Sequence, residues 1–168
     1  MTARFDPYAV LKALDRHYVA YIVIGGFARV IHGTDELTRG LDIVPSTRPE
    51  NTEQLDKALT DLNARREDSR QFRLEKALST DAVLALETDG GELKIVPEPA
   101  GTQGYDDLRR AATREPLGQG VRPWVASLGD LARMLGALGR DHDLEKLRML
   151  RRLIELDRDL HRGRYIER

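Results

Sequence analysis

The sequence has no cysteine in its 168 residues, which excludes disulfide bonds, catalytic thiolates and cysteine metal ligands. Aromatic residues make up only 5% of the chain. It also has no apolar run near the roughly 18 residues of a membrane-spanning helix, and it does not open with a basic segment followed by an apolar one, as a secretion signal does. These absences predict a cytoplasmic protein that does not enter a membrane.

A strong charge of either sign is also missing. The chain carries 27 Lys and Arg against 28 Asp and Glu, a net charge of -1, so a nucleic acid could be attracted only by a local patch of arginines or lysines. The dense arginines of the C-terminal segment alternate with acids at helical spacing, which favours a solvated, salt-bridged helix face. A hydrophobic fraction of 40% is typical of a globular chain that buries a core.

The hydrophobic pattern predicts a single domain over residues 1–168, with an α/β core over 1–104 and a mainly helical part over 105–168. In the first part, Asp6 and Pro7 open a helix, and the runs "YVAYIVIGG" and "LDIVP" predict strands on either side of a short helix. A further helix follows, and "AVLALETDGGELKIVP" predicts a hairpin. The second part predicts helices in "GYDDLRRAATRE", "SLGDLARMLGALGR" and "DHDLEKLRMLRRLIELDRDLHRGR", with a short extended piece in "GVRPWVAS".

Two glycines mark the first candidate site. Gly25 and Gly26 lie between a predicted strand and a predicted helix, where backbone amides and the helix dipole can hold an anion such as phosphate. The next strand carries Asp42, and a carboxylate two residues earlier would share its face and complete a Mg²⁺ site. That earlier position is Gly40, so the strand supplies one carboxylate instead of two.

The stretch "VIGGFARVIHGTDELTRGLDIVP" resembles the nucleotidyltransferase superfamily, in particular the AbiEii-type nucleotidyltransferases of bacterial and mycobacterial toxins. The positions that match in order and spacing are Gly25, Gly26, His32, Gly33, Thr38 and Asp42. The stretches "GELKIVPEPAGTQGYDDLRRAA" and "VASLGDLARMLGALGRDHDLEKLRML" continue the resemblance, and Arg140 and Asp143 match an Arg-x-x-Asp element. It implies a nucleotidyltransferase-like mixed sheet flanked by helices, followed by a helical C-terminal part.

Four functional positions of that pattern have changed. Gly40 stands at the first aspartate and Lys94 at the third carboxylate, while Glu36 replaces an arginine and Leu135 a lysine. An aspartate facing a lysine makes a nearly neutral site whose ammonium repels Mg²⁺, so we predict no metal cofactor and expect a salt bridge between Asp42 and Lys94. The pattern favours a protein whose metal-dependent transfer chemistry is lost or repurposed, and whose former active cleft binds a small molecule, a nucleotide or a partner.

Two alternatives stay open. One is an active nucleotidyltransferase toxin of a toxin-antitoxin system that uses Mg²⁺, Asp42 and a second acid, such as Glu36 or Asp143, to modify RNA ends or a protein hydroxyl. The other is a non-catalytic interaction protein whose partner is an antitoxin or a second copy. The candidate catalytic residues are Asp42, Lys94 and Glu36, and Glu36 is the acid that could replace a carboxylate at Gly40. The candidate ligand-binding residues are Gly25, Gly26, Thr38, Arg140 and Asp143, whereas His32 is interpreted as structural, hydrogen-bonded to backbone.

Overall fold

The computed structural model describes residues 4–166 and is built around one mixed sheet. Its strands are β1 Tyr21–Ile24, β2 Gly40–Pro45, β3 Arg65–Arg66, β4 Leu84–Thr88, β5 Gly91–Ile95, β6 Thr113–Arg114 and β7 Trp124–Val125. Their order across the sheet is β3-β4-β5-β2-β1-β7-β6. The predicted α/β class with a mixed sheet is therefore confirmed.

The helices are α1 Pro7–Arg16, α2 Gly25–His32, α3 Pro49–Asp61, α4 Leu74–Thr80, α5 Tyr105–Arg109, α6 Leu128–Leu138 and α7 Leu144–Ile166, with a short 3₁₀ helix over Asp141–Asp143. Two of these helices have a side-chain cap at their N-terminus. The Asp6 carboxylate accepts a hydrogen bond from the Ala9 amide at 3.1 Å, and the Ser127 hydroxyl oxygen accepts one from the Asp130 amide at 3.1 Å. Each bond satisfies a first-turn amide that the helix itself leaves free.

The centre of the sheet brings residues from distant segments side by side. Strand β2 pairs antiparallel with β1 and parallel with β5. The β1 register sets Asp42 opposite Ile24. The β5 register sets Gly40 opposite Glu92 and Asp42 opposite Lys94. Because residues two apart on a strand share a face, the side chains of Asp42, Glu92 and Lys94 lie on one face of the sheet.

The second half of the chain differs in part from its prediction. The helix predicted in "GYDDLRRAATRE" ends at Arg109, and the chain then forms β6, which pairs antiparallel with β7. Strand β7 in turn pairs parallel with β1, so this half adds two strands to the sheet as well as helices. Helix α4 and strand β3 were not predicted from the sequence. Both are short, and the pairing of β3 with β4 depends on a partner about 20 residues along the chain.

Apolar side chains from the sheet and the helices form one core. Among the fully buried residues are Leu11, Leu14, Ile22, Leu41, Ile43, Leu55, Leu93 and Ile95. Each such side chain stabilises the fold by about 1.5 to 3 kcal/mol relative to full exposure. Within residues 4–166, no helix has both the length and the apolar character needed to cross a bilayer.

Candidate functional site

A cleft of about 550 Å³ opens where the end of β1, the start of α2, the middle of β2 and β5, and helix α6 come together. Its polar lining includes five of the residues predicted from the sequence: Gly25, Gly26, Asp42, Lys94 and Arg140. These residues are as much as 115 positions apart in the chain. The β1-β2-β5 pairing and the loop after α6 bring them to one place.

Gly25 forms the turn between β1 and α2, and two features require a glycine there. Its φ of +72° lies in the left-handed region, which residues with a side chain adopt at a cost. A Cβ atom at Gly25 would also lie 2.3 Å from Oδ2 of Asp42. The carboxylate of Asp42 is therefore packed directly against the backbone of the glycine turn, at the N-terminal end of α2.

Asp42 and Lys94 are neighbours across the strands, but Lys94 forms its ion pair with a different acid. Its Nζ lies 3.5 Å from Oε1 of Glu92, and the described structure contains no ion pair within 4.0 Å between Lys94 and Asp42, contrary to our expectation. Burial raises the pKa of Asp42, the charge of Lys94 lowers it and that of Glu92 raises it, with a net rise above its ordinary value. The ammonium of Lys94 is thus paired with Glu92 and acts on Asp42 through its charge alone.

Glu92 was not a candidate in the sequence analysis, and it explains the glycine at position 40. A Cβ atom on Gly40 would lie 2.5 Å from the carbonyl oxygen of Glu92 and 2.8 Å from its Cβ. An aspartate could enter this position only if the two strands moved apart. The alternation of Glu92 and Lys94 is visible in the sequence, but the β2-β5 register that brings Glu92 to Gly40 is not.

Glu36 lies outside the cleft lining and holds a buried arginine. Its carboxylate accepts hydrogen bonds from Arg29 Nε at 2.9 Å and Nη2 at 3.0 Å, and from the Thr34 hydroxyl at 2.7 Å. Burial raises the pKa of Glu36, but these hydrogen bonds and the charges of Arg29 and Lys146 lower it by more. The pKa of Glu36 therefore lies below its ordinary value. The structure therefore places Glu36 in an ion pair with Arg29, which itself lines the cleft.

Arg140 and Asp143 are brought together as the resemblance implies. Asp143 is 2% exposed, and its Oδ2 accepts a hydrogen bond from Arg140 Nε at 2.5 Å. Burial raises the pKa of Asp143, while the hydrogen bond and charge of Arg140 lower it by more. This bond uses one of the five N–H groups of the guanidinium. Asp143 thus orients Arg140, which lines the cleft.

The remaining positions named in the sequence analysis pack around the cleft or bind neighbouring backbone. Thr38 lies against Gly26, with its Cγ2 at 3.1 Å from the position that a Cβ on Gly26 would take. His32 donates from Nε2 to the carbonyl oxygen of Ala126 at 2.8 Å, as its structural interpretation required. Helix α6 forms an apolar wall with Leu131, Met134, Leu135 and Leu138. Leu135, at the position of the pattern's lysine, thus contributes apolar surface to the cleft.

The cleft combines acidic and basic side chains. Within the described residues, no three His, Asp or Glu side chains come together as a metal-binding group. Mg²⁺ takes oxygen ligands in an octahedral arrangement, and in this cleft the ammonium of Lys94 acts on the carboxylate of Asp42.

Comparison with known proteins shows a likeness in structure. No protein-family model and no curated protein sequence matches the chain. One similar structure is TM1012 of Thermotoga maritima, provisionally described as a nucleotidyltransferase, with a TM-score of 0.58, 17% identity and coverage of 88% of this chain and 94% of that one. Another is the solution structure of the antibiotic-resistance factor ANT(2'')-Ia, with a TM-score of 0.60, 14% identity and coverage of 96% and 91%. These likenesses confirm the nucleotidyltransferase-like fold.

Proposed function

We propose that this protein uses a nucleotidyltransferase fold without its metal-dependent transfer chemistry, and that the cleft binds a small molecule with an anionic group, a nucleotide being one such molecule. The observation that carries the proposal is the place of Lys94. Its ammonium lies beside Asp42 and is paired with Glu92, at the position where the resemblance requires a metal-binding carboxylate. In this proposal the ammonium of Lys94 supplies the positive charge that a bound metal ion would otherwise supply.

The lining of the cleft indicates the chemistry of its ligand. It includes the N-terminal amides of α2, Lys94 and Arg140, all of which favour a phosphate or carboxylate. It also includes the apolar wall of α6, which favours a base or another flat apolar group. A cleft of about 550 Å³ lies within the size range of small-molecule sites.

The alternative of an active nucleotidyltransferase toxin, for which the AbiEii resemblance argues, needs a second metal-binding acid near Asp42. The two acids considered for that role, Glu36 and Asp143, are each bound by an arginine. Glu92, which lies opposite Gly40 and acts on Asp42 through its charge, is a third such acid, and it is paired with Lys94. Transfer would require one of these three ion pairs to open. We therefore place this function, with its RNA or protein acceptor and its antitoxin, second to metal-independent binding.

Isothermal titration calorimetry tests the proposal directly. The protein is titrated with ATP, GTP, CTP and UTP, once with Mg²⁺ and once with a chelator. We expect at least one nucleotide to bind without Mg²⁺ and to lose about tenfold or more in affinity in Lys94→Met, because an ion pair to phosphate in a partly enclosed site is lost. Lys57→Met, which removes an exposed lysine of α3, is the matched control.

Two results would overturn the proposal. Binding that requires Mg²⁺ and disappears in Asp42→Asn would show that the metal site is functional and would restore the transferase. Failure of all four nucleotides, together with phosphorylated sugars and dicarboxylates, to bind in either condition would exclude an anion-binding cleft. The non-catalytic interaction protein would then be the better explanation.

A further inference from the structure

Helix α7 extends well beyond the part of it that packs on the protein. Its residue Leu150 is fully buried, whereas Leu156 and Leu160 are 59% and 68% exposed. Helix α6 is its main neighbour, and from Glu155 to Gly163 every residue of α7 is exposed. The second half of this 23-residue helix therefore stands in solvent with large apolar side chains on its surface.

Those apolar side chains continue a regular stripe. Leu147 and Leu150 belong to the inner stripe that packs on the core. A second stripe, which we call the outer face, lies about 120° around the helix from the inner one, given 3.6 residues per turn. The outer face consists of Met149 and Leu153, which are half-buried, and Leu156 and Leu160, which are exposed. Its spacings of four, three and four are those of the a and d positions of a coiled coil.

A helix with this pattern is expected to have a helical partner. Isolated helical segments of fewer than about 12 to 15 residues are only marginally stable in water, and Gly163 lowers the stability of this segment further. Burying the exposed Leu156 and Leu160 would supply the missing stabilisation. The heptad spacing favours an α-helix as the occupant over a strand or a loop.

The charges beside the outer face select a second copy of the same helix. Arg152 and Asp159 flank the stripe on one side, each at a g position when Leu153 and Leu160 are a positions. In an antiparallel pair that sets Leu153 against Leu156 of the other copy, each Arg152 faces the other copy's Asp159. Both contacts form at once because the pair has a two-fold axis. The antiparallel arrangement also places the residues that precede α7 in the two copies at opposite ends of the helix pair.

We propose that α7 is a dimerisation helix, which pairs through its outer face with the outer face of a second copy in antiparallel orientation. The pairing does not depend on the proposed function of the cleft. None of the outer-face residues lines the cleft. Ligand binding and dimerisation can therefore be tested separately.

Sedimentation velocity of the full chain, over a series from about 1 to about 300 µM, measures the dimer. We expect a reversible monomer-dimer equilibrium that is lost in the double variant Leu156→Glu and Leu160→Glu. The control is Leu37→Glu, which changes a fully exposed leucine outside α7. A monomer throughout the series, or a dimer that survives the double variant, would overturn the proposal. Circular dichroism at the same concentrations verifies that the variants are folded.

Charge exchange tests the orientation. Arg152→Asp sets like charges against each other twice, and we expect it to weaken the dimer about tenfold. Adding Asp159→Arg to Arg152→Asp should restore the wild-type affinity. In a parallel pair Arg152 would face Asp157 of the other copy, so rescue by Asp157→Arg in place of Asp159→Arg would contradict the antiparallel arrangement. Rescue by neither exchange would exclude pairing through this face.

Discussion

The role of Glu36 can be tested by removing its charge. In Glu36→Gln the guanidinium of Arg29, only 8% exposed, loses the carboxylate that binds it through Nε and Nη2. Breaking a buried ion pair by removing one partner costs about 3 to 5 kcal/mol. The side chains of Arg29 and Glu36 keep 10% and 14% of their exposure, and the amide oxygen of Gln can still accept a hydrogen bond. Both effects reduce the expected cost to about 2 to 3 kcal/mol. For a chain of this length, the melting temperature should fall by about 5 to 10 °C.

The pH dependence of the stability lost in Glu36→Gln gives a second test. The pKa of Glu36 in the folded protein is lower than its ordinary value of 4.5, so the ion pair stabilises the fold fully above that value and loses its contribution as the pH falls through the folded pKa. Urea unfolding of wild type and Glu36→Gln should therefore differ most at neutral pH and converge in acid. A variant within about 0.5 kcal/mol of wild type at neutral pH would refute this reasoning. Unchanged stability combined with a loss of ligand binding would return Glu36 to the candidate site residues.

Three further outcomes are expected. Asn51→Ala should lower the free energy of unfolding by about 2 kcal/mol or more in urea titration, because the Asn51 side chain accepts from the amide of Ala20 and donates to the carbonyl oxygens of Ala20 and Ser46. Gly136→Ala should raise the melting temperature, since a Cβ there meets no atom within 4 Å and alanine favours a helix by about 1 kcal/mol; a lower value would contradict this. Lys94→Met should raise the pKa of Asp42, because the charge of Lys94 lowers it; NMR titration of the carboxyl carbon measures the direction.

The sequence predicted those elements whose formation depends on residues close together in the chain, such as helix caps and turns. Asp6 and Ser127 cap the predicted helices, and the hairpin forms around Asp89 and Gly90 as its turn residues require. Strand β6 was not predictable in the same way. Its two residues carry no periodicity, and it exists because β7 is available to pair with it.

The site shows the same division between local and long-range information. The glycine turn and Asp42 could be predicted because a strand, a turn and a helix follow one another in the sequence. Glu92 could not, because its nearness to Gly40 depends on the register of two strands about 50 residues apart. The pair of Glu36 with Arg29 was missed for a related reason. The resemblance marked Glu36 as a lost arginine, but only the structure shows that it neutralises an arginine on α2.

The close approach at Gly40 bears on our proposal that the cleft lacks a second strand carboxylate. If Gly40 were an isolated change in an otherwise intact metal site, an aspartate side chain would still fit there. Instead, a Cβ at this position meets the backbone and side chain of Glu92, and Glu92 binds Lys94. The strand spacing at this point admits a residue with a Cβ at position 92 only because position 40 has none, and Glu92 in turn holds Lys94. Restoring an aspartate at position 40 alone would separate β2 from β5 and leave the Lys94 ammonium beside Asp42. A metal site could return only if Lys94 were replaced as well.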